Sequence, residues 1–319
     1  MLIETLGSAR DLGRLNEIAG VLVRHGFGDA VRRLGLADTL ARAGHVLHRE
    51  HAAELARLEP PQQVRRALEE LGPTFVKLGQ ILAGRADLFG PDWITEFSKL
   101  HSRVPPVPLD ELRPQLVEDL GAEPEAVFAR FDAEPLAAAS IAQVHRAQLK
   151  DGTEVVVKIR RPNIRDKIEA DLRLLERVAG AAAESWPALE PYRPRELVRE
   201  FARSLRRELD LATECRNAER IAANLAVLPE VTIPRVHWAY TGERINVQDF
   251  IEGVSGEDLE RLGRDGLDRQ LLARRGARAV LKMIVEDGFF HADPHPGNVF
   301  YLPGNRIAFI DFAAGSLTH

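Results

Sequence analysis

The chain has 319 residues, more than one average domain of about 150, and at 45% hydrophobic residues it can bury a large core. Forty-three basic against 48 acidic residues leave a formal net charge of -5, which excludes the basic footprint of a nucleic-acid binder. A single cysteine, Cys215, excludes an intramolecular disulfide and cysteine-rich zinc sites, and suits a reducing compartment.

No apolar run approaches the roughly 18 residues of a membrane span, and Glu4 and Asp11 stand where a signal peptide would be apolar. The expectation is a soluble, intracellular chain. Only six of the basic residues are lysine, so each lysine is a flag for a site that needs a compact point charge rather than a planar fork.

Residues 1 to about 125 read as helices. Leu12, Leu15, Ile18, Ala19 and Leu22 recur at helical spacing, as do Val64, Ala67, Leu68 and Leu71. For residues 1 to 60 a solvated helical bundle is reading enough. In Leu71-Gly72-Pro73-Thr74-Phe75-Val76-Lys77-Leu78-Gly79-Gln80, Pro73 suits a helix's first turn, and Lys77 and Gln80 share a face. Gly79 beside them costs about 1 kcal/mol relative to Ala, tolerable where another backbone must come close. Val104-Pro105-Pro106-Val107-Pro108 leads out as an extended linker.

From about residue 126 the period changes. Ile141 to Leu149 and Glu154 to Ile159 read as strands joined by Lys150-Asp151-Gly152. In the second, Val155, Val157 and Ile159 face one way and Val156 and Lys158 the other. A lysine in an apolar strand needs an anionic partner. Val155-Val156-Val157-Lys158 fits the kinase strand pattern Val-Ala-Ile-Lys, which supplies a carboxylate and nucleotide phosphates. Upstream, Ala137, Ala139, Ala142 and Val144 fall on the register of the kinase phosphate loop with alanine at every glycine, in the run Ala137-Ala138-Ala139-Ser140. Each methyl group restricts positive φ and holds phosphates further from the backbone.

One helix is expected over roughly Ile164 to Ala183, broken at Trp186-Pro187, and a second from about Pro194 to Leu228. On a continuous helix the six positions from Glu208 to Glu214 turn by about 600°, leaving the two carboxylates about 120° apart. One would then pair with Lys158 while the other is free for Lys77. Arg235 to Tyr240 and Arg244 to Phe250 read as a second hairpin, from which Asp249-Phe250-Ile251 leaves where a kinase hinge would lie. Gln270 to Asp287 is an amphipathic helix, and Asn298 to Leu302 with Arg306 to Phe312 make the last hairpin.

Between them, His291, Asp293 and Asn298 fit the catalytic-loop template His-x-Asp-x-x-x-x-Asn, and Asp311-Phe312 fits the start of Asp-Phe-Gly. Phosphoryl transfer asks for one carboxylate at the attacking hydroxyl or water, and for an amide and a second carboxylate on magnesium. The same stretch has a rival reading, because His291, Asp293 and His295 alternate as three metal ligands of a zinc hydrolase would. Taken alone it does not choose. The order of elements does: an alanine loop, a strand lysine, a helix glutamate, a hinge, a helix and then the loop, which a zinc hydrolase has no need of.

These motifs together resemble the UbiB atypical protein-kinase-like family, linked to ubiquinone biosynthesis. The resemblance runs from about Leu71 to Ala314 and rests on Lys77-Leu78-Gly79-Gln80, the alanine loop, Lys158-Ile159-Arg160-Arg161-Pro162, Glu208-Leu209-Asp210 with Glu214 and Asn217, and His291 to Asn298. It implies an α+β, protein-kinase-like fold: a helical extension over 1–125 capping the active site, an N-lobe with inserted helices over 126–252, and a partial C-lobe over 253–319. Lys158 would contact the α- and β-phosphates with Glu214 as its ion-pair partner, Asp293 would be the catalytic carboxylate, and Asn298 and Asp311 the magnesium ligands. Ala137, Ala138, Ala139, Ser140, Ala142, Val144, Val156, Asp249 and Ile251 would line the ATP or ADP site. Lys77 and Gln80 would lie over it, held by Glu208 and Asp210.

Family members resemble ATPases or small-molecule kinases more than protein kinases, so an ATPase or lipid-kinase activity is implied; the alternative is a non-catalytic, nucleotide-gated binding module. A quinone precursor or lipid and a membrane surface are the implied partners, in a cytoplasmic protein peripheral to or anchored at the inner membrane. The chain departs from kinases at Ala292, which removes the cation that reads a phosphorylated activation loop, at His295 in the place of a lysine, and at Ala313 in the place of the Asp-Phe-Gly glycine. The family continues past the position of His319 into further C-lobe helices.

Overall fold

The computed structural model describes residues 9–33, 58–100, 104–312 and 314–316. The helices expected within 34–57, Ala313 and His319 lie outside the described residues. The chain divides into two compact units, one of Met1–Val104, Ala139–Ile141 and Asn163–Arg206, the other of Pro105–Ala138, Ala142–Pro162 and Arg207–His319.

The first unit is helical. Its helices include Ala9–Arg24, Pro60–Leu71, Pro73–Ala83, Pro91–Phe97 and Ile164–Ser185, and the last element, Pro194–Glu208, runs out of it. Pro60, Pro73 and Pro91 each open a helix, where a missing N–H costs nothing. Gly72, at φ +97°, makes the corner between two of them. Leu15, Ile18, Ala19, Leu68, Leu71, Phe75, Phe97 and Leu174 close into one core. Gly79 is explained by that core. A methyl there would come within 2.8 Å of Leu68 and 2.3 Å of Leu100, so its bare face admits side chains rather than a backbone. Beneath it Asp171, wholly buried, accepts from Arg14 Nε at 2.6 Å and from Thr74 Oγ1 at 2.6 Å, while Arg14 Nη2 donates to the Leu71 carbonyl.

The strands of the second unit are β1 (Phe128–Phe131), β2 (Ala137–Ala138), β3 (Ala142–Leu149), β4 (Glu154–Arg160), β5 (Val231–Thr232) and β6 (Ile245–Asp249). They are followed by β7 (Val254–Ser255), β8 (Phe289–His291), β9 (Val299–Leu302), β10 (Arg306–Phe309) and β11 (Ala314–Ser316). β1-β3-β4-β6 form one sheet with β2 on β3, β5-β10-β9-β7 a second, and β8 pairs with β11. At the β3–β4 turn Gly152 takes φ +88° and the Thr153 N–H donates to Asp151 Oδ1 at 3.0 Å. Val155, Val157, Ile159, Ile245 and Val247 pack on Leu112 and Leu116 of the helix Leu109–Leu120. The alternation therefore leaves Val156 and Lys158 on the opposite face.

Four expectations need correction. The helix read from Pro194 to Leu228 is two helices, Pro194–Glu208 and Leu211–Leu225, because Asp210 adopts an extended conformation and caps the second. Glu208 and Glu214 therefore do not share a helix, and the 120° relation does not apply. Arg235–Tyr240 is no strand; it makes one bridge, Val236 to Gln248, and then a 3-10 turn at Trp238–Tyr240. The helix expected to Asp287 ends at Leu281 in a π turn over Lys282–Glu286. The last strand stops at Phe309, since Asp311 turns the chain with φ +60°. Among the described residues no helix is long and apolar enough to cross a membrane.

Asp171→Ala would remove the buried carboxylate of Arg14 and the acceptor of Thr74, and leave the guanidinium only the exposed Glu17. The expected cost is about 3–5 kcal/mol in urea denaturation, against about 1 kcal/mol or less for Arg24→Ala at the exposed pair with Glu70.

Candidate functional site

The site lies within the second unit and begins with Lys158. Its ammonium donates to Glu214 Oε2 at 2.7 Å and to Asp311 Oδ1 at 2.9 Å. Glu214 gets there because Asp210 starts its helix. The Asp210 carboxylate accepts from the Ala212 and Thr213 N–H groups at 3.0 and 3.3 Å and from Thr213 Oγ1 at 2.6 Å. Glu214 then sits in the first turn, where the helix dipole favours a negative charge.

Burial works to lower the Lys158 pKa, but the Asp311 and Glu214 charges together hold it above its ordinary value. The two carboxylates respond in opposite directions. Burial pushes Glu214 up, against the pull of Lys158 and with the added repulsion of Asp311. The Lys158 charge draws Asp311 down to about 2, against its desolvation. Asp311, half-exposed and carried on a left-handed turn, is the firmer counter-ion; Glu214 is the carboxylate closer to holding a proton.

A second set of bonds fixes the loop that carries Asp293. His291 is buried; its Nε2 faces the Ile310 carbonyl at 3.0 Å and its Nδ1 accepts from the Asp293 N–H at 3.2 Å. These partners define a neutral ring with the proton on Nε2. Asn298, also buried, donates through Nδ2 to the Asp293 carbonyl at 3.1 Å, and its own carbonyl accepts from the Ile310 N–H at 3.0 Å. Asn217 Nδ2 reaches the Phe312 carbonyl at 3.2 Å. The backbone around Asp293 and the backbone around Asp311 are thus tied to each other, while the Asp293 side chain stays exposed.

The zinc alternative fails on these bonds. Both His291 nitrogens are engaged, His295 Nδ1 accepts from the Gly297 N–H, and among the described residues no three His, Cys, Asp or Glu side chains converge on a metal position. Asn298 and Asp311 instead offer oxygen donors, which suit a hard cation such as magnesium. The Asn298 amide nitrogen is used on the Asp293 carbonyl, which leaves its oxygen as the donor atom.

The remaining predicted residues fall as follows. Ala137 and Ala138 form β2, paired with Val144 and Gln143, and Ala142 and Val144 open β3. Ala139 and Ser140 belong to the helical unit by contact, as do Lys77 and Gln80 on Pro73–Ala83, where Gln80 Nε2 donates to the Leu100 carbonyl at 3.1 Å. Val156 flanks Lys158 on its own face. Asp249 accepts from His237 Nε2 at 2.8 Å, and Ile251 follows it half-buried. Glu208 ends its helix with an exposed side chain, and Asp210 serves as the cap described above. Sequence reasoning missed that cap, although an Asp directly before the apolar Leu211-Ala212, with Glu214 in the first turn, is an N-cap signal. It also missed Gln143, whose amide binds both the N–H and the carbonyl of Val107 and so anchors the strand after the alanine loop.

This arrangement has known relatives. Residues 99–317 match the family model of the ABC1 atypical kinase-like domain, and the chain belongs to that family. It is similar to proteins named Probable protein kinase UbiB: 38% identical over 298 residues to that of Vibrio cholerae, covering 92% of this chain and 54% of that protein. To the Marinobacter nauticus protein it is 37% identical over 289 residues, covering 91% and 53%. To the Pseudomonas aeruginosa protein it is 41% identical over 245 residues, covering 75% and 45%. The chain spans about half the length of these curated relatives. A Mycobacterium tuberculosis protein solved in complex with erythromycin shares the fold at a TM-score of 0.56 and 27% identity, over 85% of this chain and 68% of that one. The chain is an α+β protein of atypical kinase-like type.

Two buried imidazoles make the fold sensitive to acid. Burial lowers the pKa of His145 and of His291, outweighing their carbonyl bonds to Asp132 and Ile310. Their contribution to stability is complete above the unfolded-state value of about 6.5 and is lost as pH falls through the lower folded-state values. Urea midpoints are expected to drop between about pH 7 and pH 5, with a shallower slope in His145→Gln.

Proposed function

We propose that the chain binds ATP or ADP with magnesium and acts as an ATPase or as a kinase of a small or lipid-like acceptor, in support of ubiquinone biosynthesis at the inner membrane. The observation that carries this reading is the Lys158 ammonium held between Glu214 and Asp311, next to an Asp293 loop braced by His291 and Asn298. In it, Lys158 exchanges Asp311 for phosphate oxygens and keeps Glu214. Asp293, exposed on a fixed backbone, takes the proton of the attacking hydroxyl or water. Asn298 and Asp311 would hold magnesium, which when bound neutralises phosphate charge.

For the acceptor, a cavity of about 480 Å³ in the helical unit supports a partly apolar molecule. Leu78, Ile81, Tyr192, Leu197 and Phe201 line it, with Arg85 and Arg193 balanced by Glu196 and Glu200. A quinone precursor or lipid has that character, and Leu78 belongs to the Lys77–Gln80 motif.

The test is a thermal shift with magnesium and ATP or ADP. At 100 times the dissociation constant the parent chain should gain about 2.7 kcal/mol, and Asp311→Asn should gain far less. No shift in the parent, or an equal shift in Asp311→Asn, would overturn the reading. Asp293→Asn should keep binding and lose turnover by about 10²–10⁴-fold. Binding by the parent with no turnover at all would favour the nucleotide-gated module.

A further inference from the structure

One amide beside this site has no role in it so far. Asn246 on β6 is 0% exposed, and neither its Oδ1 nor its Nδ2 has a hydrogen-bond partner within the protein. It stands directly opposite Lys158 in the antiparallel β4–β6 ladder. The two side chains therefore leave the sheet on the same face, with Cβ atoms about 4.5–5.5 Å apart. Gln248, also buried, follows on that face opposite Val156. On the other face of β4 and β6, Val155, Val157, Ile159, Ile245 and Val247 join the apolar core, so Asn246 is not part of that packing.

A buried amide with both ends unmet is costly, at about 1–3 kcal/mol for each stranded group, and native interiors pair more than about 90% of such groups. The nature of the missing partner follows from the neighbours. Lys158 already meets two anions, so a further anion beside Asn246 would face Glu214 and Asp311, and a cation would face the ammonium. A neutral group that both donates and accepts fits. An ammonium has three N–H groups, and the bonds to Glu214 and Asp311 use two of them. The third N–H of Lys158, the two ends of Asn246 and the Gln248 amide together offer the two to four polar partners that an internal water requires.

We propose that Asn246 holds ordered water behind Lys158, and that through this water it is a positioning residue for the ammonium. The water accepts from Lys158 or from Asn246 Nδ2 and donates to Asn246 Oδ1. Its effect is to fix the lysine from the sheet side while Glu214 and Asp311 fix it from the other. The structural part stands on Asn246 and Lys158 alone; the consequence for ligand binding rests on the nucleotide reading above.

The direct test is a high-resolution crystal structure of the whole chain without ligand. Water within hydrogen-bond distance of Asn246 supports the proposal, and an amide turned onto protein groups with no water beside it overturns it. Asn246→Leu, close in shape and apolar, separates the cases by melting: it lowers Tm if the amide is satisfied, and a higher Tm than the parent would overturn the proposal. For positioning, magnesium-ADP affinity should fall by about tenfold in Asn246→Leu, the scale of a hydrogen bond to a charged group. It should recover in Asn246→Ser and stay unchanged in Val157→Ala, a core control on the opposite face. Unchanged affinity in Asn246→Leu would sink the positioning role. A parent chain that binds no nucleotide counts against the proposed function, while the crystal and melting results still decide whether the water is there.

Discussion

An ammonium on a strand whose neighbours are valine and isoleucine must be met by anions, and the second unit is arranged so that Lys158 is met twice. Each meeting required an interruption of regular structure. The helix that would have run on from Pro194 stops so that Asp210 can start another, whose first turn delivers Glu214. The strand that would have run past Phe309 stops so that a left-handed turn can deliver Asp311. Positive φ at a residue other than glycine costs of order 1–3 kcal/mol, though Asp tolerates it better than most. It is held here by the backbone bonds of Ile310 on one side and Phe312 on the other.

Two carboxylates around one lysine cannot be equally ionised without strain on one of them. The opposite pKa directions of Glu214 and Asp311 express that asymmetry: the enclosed carboxylate is the reluctant anion, and the half-exposed one is the ready anion. The loop that bears Asp293 is organised on a different principle. It uses neutral hydrogen bonds from buried side chains to backbone, and the same side chains tie it to the turn that carries Asp311.

Much of this was legible in the chain. The alternation around Val155 to Ile159 places Lys158 on the face away from the apolar packing, because a period of two leaves no other choice. The spacing of His291, Asp293 and Asn298 marks a loop by residue types that regular structure would not need. What could not be read were the places where a short-range preference overrode a long-range pattern. From Pro194 to Leu228 the helical periodicity is nearly continuous, yet one capping aspartate divides it. The strand-like Arg235 to Tyr240 gives way to a 3-10 turn over Trp238–Tyr240. Gly79 suits a close approach, but of the side chains of Leu68 and Leu100 and not of the backbone that its spacing suggests. The amide of Asn246 was invisible for a similar reason: a polar residue in a strand reads as solvent-facing until its burial is known.

The break at Asp210 also bears on how such a chain can vary. Because Glu214 takes its position from a cap four residues before it, the angle at which it meets Lys158 is set locally and not by the register of the preceding helix. Arg160 Nη1 donates to the Leu209 carbonyl and the Leu211 N–H donates to the Glu243 carbonyl, so the start of the helix that bears Glu214 is pinned to the sheet directly. The interruption acts as a local anchor: the ion pair beyond it takes its geometry from the cap and from the sheet, not from the length of the helix before it.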